Sequence, residues 1–330
     1  MPPRAYDASK VTFYLDQSTV SDAFRAVTVP PRADAAYRPL LAWMERLARE
    51  ANLCFSIAHI AEIARWADHG LADALAEWLD GITTVWVRPM LEVMTEEEDY
   101  WTAVAAGATP QTEVIPFALS PTGVFSRTSV ADSIRAFREP GSISSPAGEE
   151  LFEQEDNEVR TMLRAIQQNE AWVREQKWSA QKKSNERESA RKADLFARAR
   201  DAAIRRNAAP ANAWIDPDGD IQGALVDLVD QDPRSLPSWR IRRDFNDKFD
   251  QVARARKPGS RGESKLISSF RDYWHLAVAA AYCDVFTCDQ LVYDAIAPAR
   301  TRLGKKATLA PSKHRGGPVG FVTGLVATWP

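Results

Sequence analysis

Three short apolar runs near the start of the chain, Val11–Leu15, Leu53–Ile57 and Thr83–Val87, alternate with amphipathic helix patterns. A helix is expected over Ala35–Ala51, where Leu40, Leu41, Met44 and Leu47 recur at helical spacing, and others over Ile60–Trp66 and Leu71–Leu79. Strands too short for helices, separated by helices of this length, predict parallel pairing, because parallel neighbours need a long crossover between them. The same grammar returns late in the chain: helix 270–283, strand 284–287, helix 290–299 and a strand near 307–310. The expected fold class is α/β, a parallel sheet flanked by helices.

Between these two stretches the pattern changes. Residues 107–148 are rich in Pro, Gly, Ser and Thr, and 149–207 is charged and helical, with Leu151, Val159, Leu163, Ile166 and Val173 at helical steps. Residues 210–220 are turn-rich, 221–229 resume helix, and 233–256 form a basic helical segment. The expected organisation is one α/β domain in two parts, 1–100 and 263–330, interrupted by a mainly α-helical insertion over 101–262. Such an insertion is tolerable because each doubling of loop length costs only about 0.6 kcal/mol.

Composition narrows the function classes. A chain of 330 residues with 45% hydrophobic content can fill a sizeable core. No apolar run reaches membrane-spanning length, and Met-Pro-Pro-Arg leads into polar sequence, so neither membrane nor secretory signal is expected. Three cysteines without a CxxC pair argue against structural zinc and for a reducing, cytoplasmic setting.

A net charge of −3 is not that of a wholly basic nucleic-acid binder, yet the charge segregates. Acids dominate 92–158, whereas Arg174–Arg206 holds eleven Lys/Arg against five Asp/Glu and Arg234–Lys265 ten against four. Lys182, Lys183, Arg191, Lys192, Arg240, Arg242 and Arg243 are the expected phosphate contacts. Trp172, Trp178, Trp214 and Trp239 among them offer stacking surfaces. The plainer alternative is a set of solvated helix faces rich in opposite-charge pairs.

Four acids carry the chemistry expected of the chain. Asp16 ends the first strand and is followed by Ser18 and Thr19, Glu62 lies on the helix after the second strand, Asp272 opens a helix, and Asp289 ends a strand. Carboxylates at the ends of neighbouring strands converge on the crevice where open α/β sheets bind ligands. Oxygen-only ligands suit Mg²⁺ or Mn²⁺. Ser18 and Thr287 are candidates to hold a ligating carboxylate or a metal-bound water, if a metal is bound here. Simpler roles exist for each: helix caps for Asp16 and Asp272, a turn for Asp289. Glu62 is hardest to dismiss, because its neighbours Ile60, Ile63 and Ala64 look core-facing. His59, three residues before Glu62, and His275, three after Asp272, are spaced so that a helix could put each imidazole near the metal cluster; a hydrogen-bonding or partly buried histidine is the plainer reading.

Taken together, Phe13-Tyr-Leu-Asp16-Gln-Ser-Thr-Val, Ser56 with Glu62, Asp272-x-x-His-Leu-Ala-x-Ala-Ala and Val285-Phe-Thr287-Cys-Asp289 resemble the PIN-domain superfamily of metal-dependent nucleases. The resemblance spans two separate pieces of the chain. It implies a PIN-like sheet and a Mg²⁺ or Mn²⁺ site built from Asp16, Glu62, Asp272 and Asp289, with hydrolysis leaving a 5′-phosphate and a 3′-hydroxyl. The chain departs from the pattern at Gln17-Ser18-Thr19 and in the 101–262 insertion, which compact PIN toxins lack. The expected activity is endonucleolytic hydrolysis, in RNA rather than DNA. The alternatives are a catalytically silent PIN-like scaffold and a DNA-directed nuclease. A homodimer and a regulatory protein are the further partners this reading leaves open.

Overall fold

The computed structural model describes residues 6–28, 31–83, 85–105, 107–119, 129–138, 160–161, 163–164, 234–254, 276–309 and 316–326. Their framework is a six-stranded sheet of β1 (Thr12–Tyr14), β2 (Asn52–Phe55), β3 (Val85–Val87), β4 (Phe117–Ala118), β5 (Val285–Cys288) and β6 (Lys306–Leu309). The strand order is β4-β3-β2-β1-β5-β6, and every pairing is parallel except β3 with β4. The fold class is α/β.

The central strands β1, β2, β3 and β5 are buried on both faces, which is why they read as short apolar runs. Successive side chains alternate between two cores. Phe13, Leu15, Leu53, Phe55 and Trp86 point to one face. That face is covered by α1 (Gln17–Thr28), α2 (Pro31–Glu50), α3 (Ile57–Ala64), α4 (His69–Ile82), α6 (Val130–Arg138) and α9 (Gly317–Val326). Tyr14, Cys54, Val85, Val87, Phe286 and Cys288 point to the other. There they meet α5 (Met90–Ala105), α7 (Pro237–Arg254), α8 (Gln290–Arg302) and the helical residues 276–282.

From β1 the chain steps through β2 to β3 on one side, whereas β5 and β6 lie on the other. The winding therefore reverses between β1 and β5. Loops leaving the carboxyl ends of these two strands diverge to opposite faces and leave a crevice between them.

The described parts of 101–262 are built onto this sheet. β4 pairs with β3, α6 packs on α3 and α4, and α7 packs on α8 and α5. Ile241, Phe245, Phe249 and Ala253 explain the last, since their four-residue spacing gives α7 one apolar stripe that needs cover. The helices expected at 221–229 and over most of 149–207 lie outside the described residues.

The amino end of α7 is fixed by two buried charges. The Glu97 carboxylate of α5 accepts both the Ser238 N–H (3.1 Å to each oxygen) and the Tyr282 hydroxyl (2.8 Å). Arg240 is turned inward, its guanidinium donating to the Ser235 carbonyl (2.7 Å) and hydroxyl (3.0 Å). These contacts hold Leu236 in the left-handed region at φ 45°. Arg240, expected from sequence to meet phosphate, is committed to this turn instead.

Burial pushes Glu97 up to about 7. Its contribution to stability is full below the ordinary value of 4.5 and is lost as pH rises through 7, by at most about 3 kcal/mol. His59, pushed down by burial to about 4, has the opposite sign: its contribution is full above 6.5 and is lost as pH falls toward 4. The two slopes oppose each other over nearly the same window. Glu97→Gln is therefore expected to steepen the loss of melting temperature between pH 6.5 and pH 4.5 relative to wild type. Scanning calorimetry checks this; parallel pH profiles for the two proteins would contradict it.

Candidate functional site

Asp16 follows β1 directly and occupies the first position before α1, its carbonyl accepting the Val20 N–H (3.2 Å). Its carboxylate is held by three hydroxyls. Ser18 donates to Oδ2 (2.6 Å), and Thr19 and Thr287 both donate to Oδ1, the latter at 3.0 Å. Thr287 also accepts the Asp16 N–H (2.7 Å), so one fully buried β5 side chain fixes both the backbone and the carboxylate of Asp16. A carboxylate offers about four acceptor sites. Three are taken, and the one remaining is on Oδ2.

The strand order puts an acid on each side of Asp16. On the β5 side, Asp289 follows the strand and caps α8 by accepting the Val292 N–H (2.8 Å). Burial raises the Cys288 thiol well above its ordinary range, and the nearby Asp16 and Asp289 charges raise it further. On the β2 side, Glu62 sits in the second turn of α3, half-buried. The buried Tyr14 hydroxyl is likewise raised, first by desolvation and then in part by Glu62 and Asp16. Asp16 is thus the shared electrostatic neighbour of groups that sense Glu62 on one side and Asp289 on the other.

Beneath the acids lies a buried polar network, of which the sequence singled out His59 as a hydrogen-bonding residue and Ser56 only within the PIN-like pattern. The Tyr14 hydroxyl is 2.9 Å from Ser56 Oγ, and His59 contacts Ser56 and the Leu15 carbonyl. Tyr14 and Ser56 carry no sequence signal of this role, because a Tyr in an apolar strand and a Ser before a helix are both commonplace.

Asp272 and His275 lie outside the described residues, as do Lys182, Lys183, Arg191 and Lys192. Among the described residues no three His, Cys, Asp or Glu side chains gather closely enough to hold a metal ion. On α7, Arg243 is exposed, and the half-buried Arg242 stacks its guanidinium over the Trp239 ring at 5.4 Å. No described helix is long and apolar enough to cross a membrane.

Neither family models, curated proteins nor solved structures match this chain. The reading of the site rests on its own geometry and chemistry.

Thr287 gives that reading a structural handle. Thr287→Val keeps the shape but leaves the Asp16 N–H without an acceptor, a loss of about 1–3 kcal/mol. Thermal melting should register it. A variant as stable as wild type would mean that the Thr287 hydroxyl does not hold Asp16.

Proposed function

We propose that the chain is a PIN-like, metal-dependent endonuclease acting on RNA, with Asp16, Glu62, Asp272 and Asp289 as its metal-binding acids. The observation that carries this is the position of Asp16 and Asp289 at the carboxyl ends of adjacent strands on either side of the winding reversal. That is the place where open α/β sheets bind ligands. The order of the acids along the chain and the parallel heart of the sheet support the PIN-like assignment.

The donors fit a hard divalent cation. They are carboxylate oxygens, and Asp16 keeps an acceptor site on Oδ2 while hydroxyls orient the rest of the group. A bound Mg²⁺ or Mn²⁺ supplies positive charge for the phosphodiester oxygens and lowers the pKa of a coordinated water. The residues do the positioning: Thr287 and Ser18 aim Asp16, Asp289 caps α8, and Glu62 is the ligand proposed from α3. Arg242 and Arg243, with the basic residues of 174–206, are the proposed phosphate contacts. The three cysteines are free and buried, in keeping with a reducing cytoplasm.

A second reading, a silent PIN-like scaffold, draws on the Asp289 cap, since a carboxylate that caps α8 needs no metal to account for it. Cleavage separates the two. End-labelled single-stranded RNA and DNA are incubated with the purified chain in Mn²⁺, Mg²⁺ or EDTA. Metal-dependent cutting of RNA to 5′-phosphate ends is expected, with none in EDTA. Cutting of DNA alone would reassign the substrate. Absence of cutting by folded protein on either strand would favour the scaffold.

A further inference from the structure

We propose that His59 is a positioning residue of the candidate active site, tying the backbone that carries Asp16 to the turn that launches the Glu62 helix. This rests on the nuclease reading of the crevice.

The β1–β2 ladder ends at Tyr14 opposite Cys54. Beyond it the two chains separate, β1 into Leu15 and Asp16, β2 through Phe55 and Ser56 into α3. No strand pairing holds Asp16 and α3 in register past that point. His59 bridges the gap. One ring nitrogen, Nε2, lies 2.7 Å from the carbonyl oxygen of Leu15, the residue before Asp16. The other, Nδ1, accepts the Ser56 N–H at 3.2 Å. An N–H aimed at Nδ1 requires a lone pair there, so the proton is on Nε2 and is donated to Leu15.

The network closes through Tyr14. Its hydroxyl lies 2.9 Å from Ser56 Oγ and 3.3 Å from His59 Nδ1. The Tyr14 and Phe55 rings meet the imidazole edge-on, with centroids at 5.1 and 4.9 Å, and leave it fully buried. Burial keeps the ring neutral at physiological pH, as this hydrogen-bond pattern requires. Glu62 lies one helical turn beyond His59, so the seating of the first turn of α3 decides where that carboxylate is carried.

Capping alone does not account for the residue. A Glu or Gln usually takes this third helical position and reaches back to the cap N–H. An imidazole does that with Nδ1 and still has Nε2–H for a carbonyl on the neighbouring strand.

The test compares wild type, His59→Leu and His59→Gln, the last retaining a donor near the Nε2 position. With RNA and Mn²⁺, His59→Leu is expected to lose about 10–100-fold in kcat with KM little changed, as for other groups that orient a metal ligand. His59→Gln is expected to recover most of that loss, which mere repacking would not do. If His59→Leu fails to fold, Tyr14→Phe cuts the same network at its hydroxyl and should show the same kcat-selected loss. In parallel, ¹⁵N NMR of the wild-type imidazole should report the Nε2–H tautomer.

The outcomes are separable. Wild-type kcat in a folded His59→Leu, or in the fallback Tyr14→Phe, overturns the positioning role and leaves the nuclease reading standing. Glutamine no better than leucine also overturns it, as does an Nδ1–H tautomer. A folded wild type with the Nε2–H tautomer that neither cuts nor binds Mn²⁺ overturns the nuclease reading, and the proposal with it.

Discussion

Arg300→Leu is expected to destabilise the chain by at least about 3 kcal/mol, enough to lower the melting temperature of a chain this long by about 4 °C or more. Arg300 is fully buried near the end of α8 and holds four carbonyls at once. Its guanidinium donates to Ala280, to Cys283 and Asp284 (3.0 and 3.1 Å) and to Lys306, the last through Nε at 3.1 Å. It also lies 5.4 Å from the centroid of the Phe286 ring. These contacts join the end of helical residues 276–282 to the chain entering β5 and to the first residue of β6. A leucine removes the cost of burying the cation but leaves several of those carbonyls without a donor, at about 1–3 kcal/mol for each one orphaned. A total stability of about 5–15 kcal/mol leaves little margin for that loss. Scanning calorimetry reads the change, and a melting temperature equal to wild type would show that the carbonyls find other partners. Arg300→Lys should fall between, since a single ammonium cannot span the same four acceptors.

The second large effect is the reverse: activity lost with the fold intact. Asp16→Asn is expected to reduce metal-dependent cleavage by at least about 100-fold, because groups that merely orient a ligand already cost 10–100-fold. Stability should change little. The amide has the same shape, and the hydroxyls of Ser18, Thr19 and Thr287 can rotate to pair with it. Cleavage rates measured beside melting curves separate the two effects. Wild-type cleavage by Asp16→Asn would remove Asp16 from the site.

The central strands were legible because each is an apolar run buried on both faces, and β1 and β5 each give way to an aspartate that signals the strand end. β4 has only two residues and no pattern to read, and α9 hides in a glycine-rich stretch whose Phe321 and Leu325 are nonetheless buried in the core, Phe321 against Trp43 of α2. Charge misled more than hydrophobicity did. The run Glu96-Glu-Glu-Asp99 belongs to the acid-rich stretch 92–158, yet Glu97 is fully buried, because its partners, Ser238 and Tyr282, lie more than a hundred residues away. Arg300 looks like a surface cation because the four carbonyls it serves are brought together only by folding, whereas Arg240 is turned inward onto Ser235, five residues away, by the local turn before α7. At the candidate site, sequence spacing singled out Asp16, Glu62 and Asp289 as candidate ligands and put the hydroxyls of Ser18 and Thr287 against a carboxylate, where the structure has them on Asp16. It had no means of showing that β1 and β5 are adjacent, which is what sets Asp16 beside Thr287.

The acidic end of the β1–β5 junction is the proposed divalent-cation site. Calorimetric titration of Mn²⁺ into wild type, Asp16→Asn and Asp289→Asn tests it most directly. Saturable binding by wild type, weakened at least about tenfold in both folded variants, is the predicted result. Wild-type protein that binds no Mn²⁺, or variants that bind it as tightly as wild type, would contradict the account.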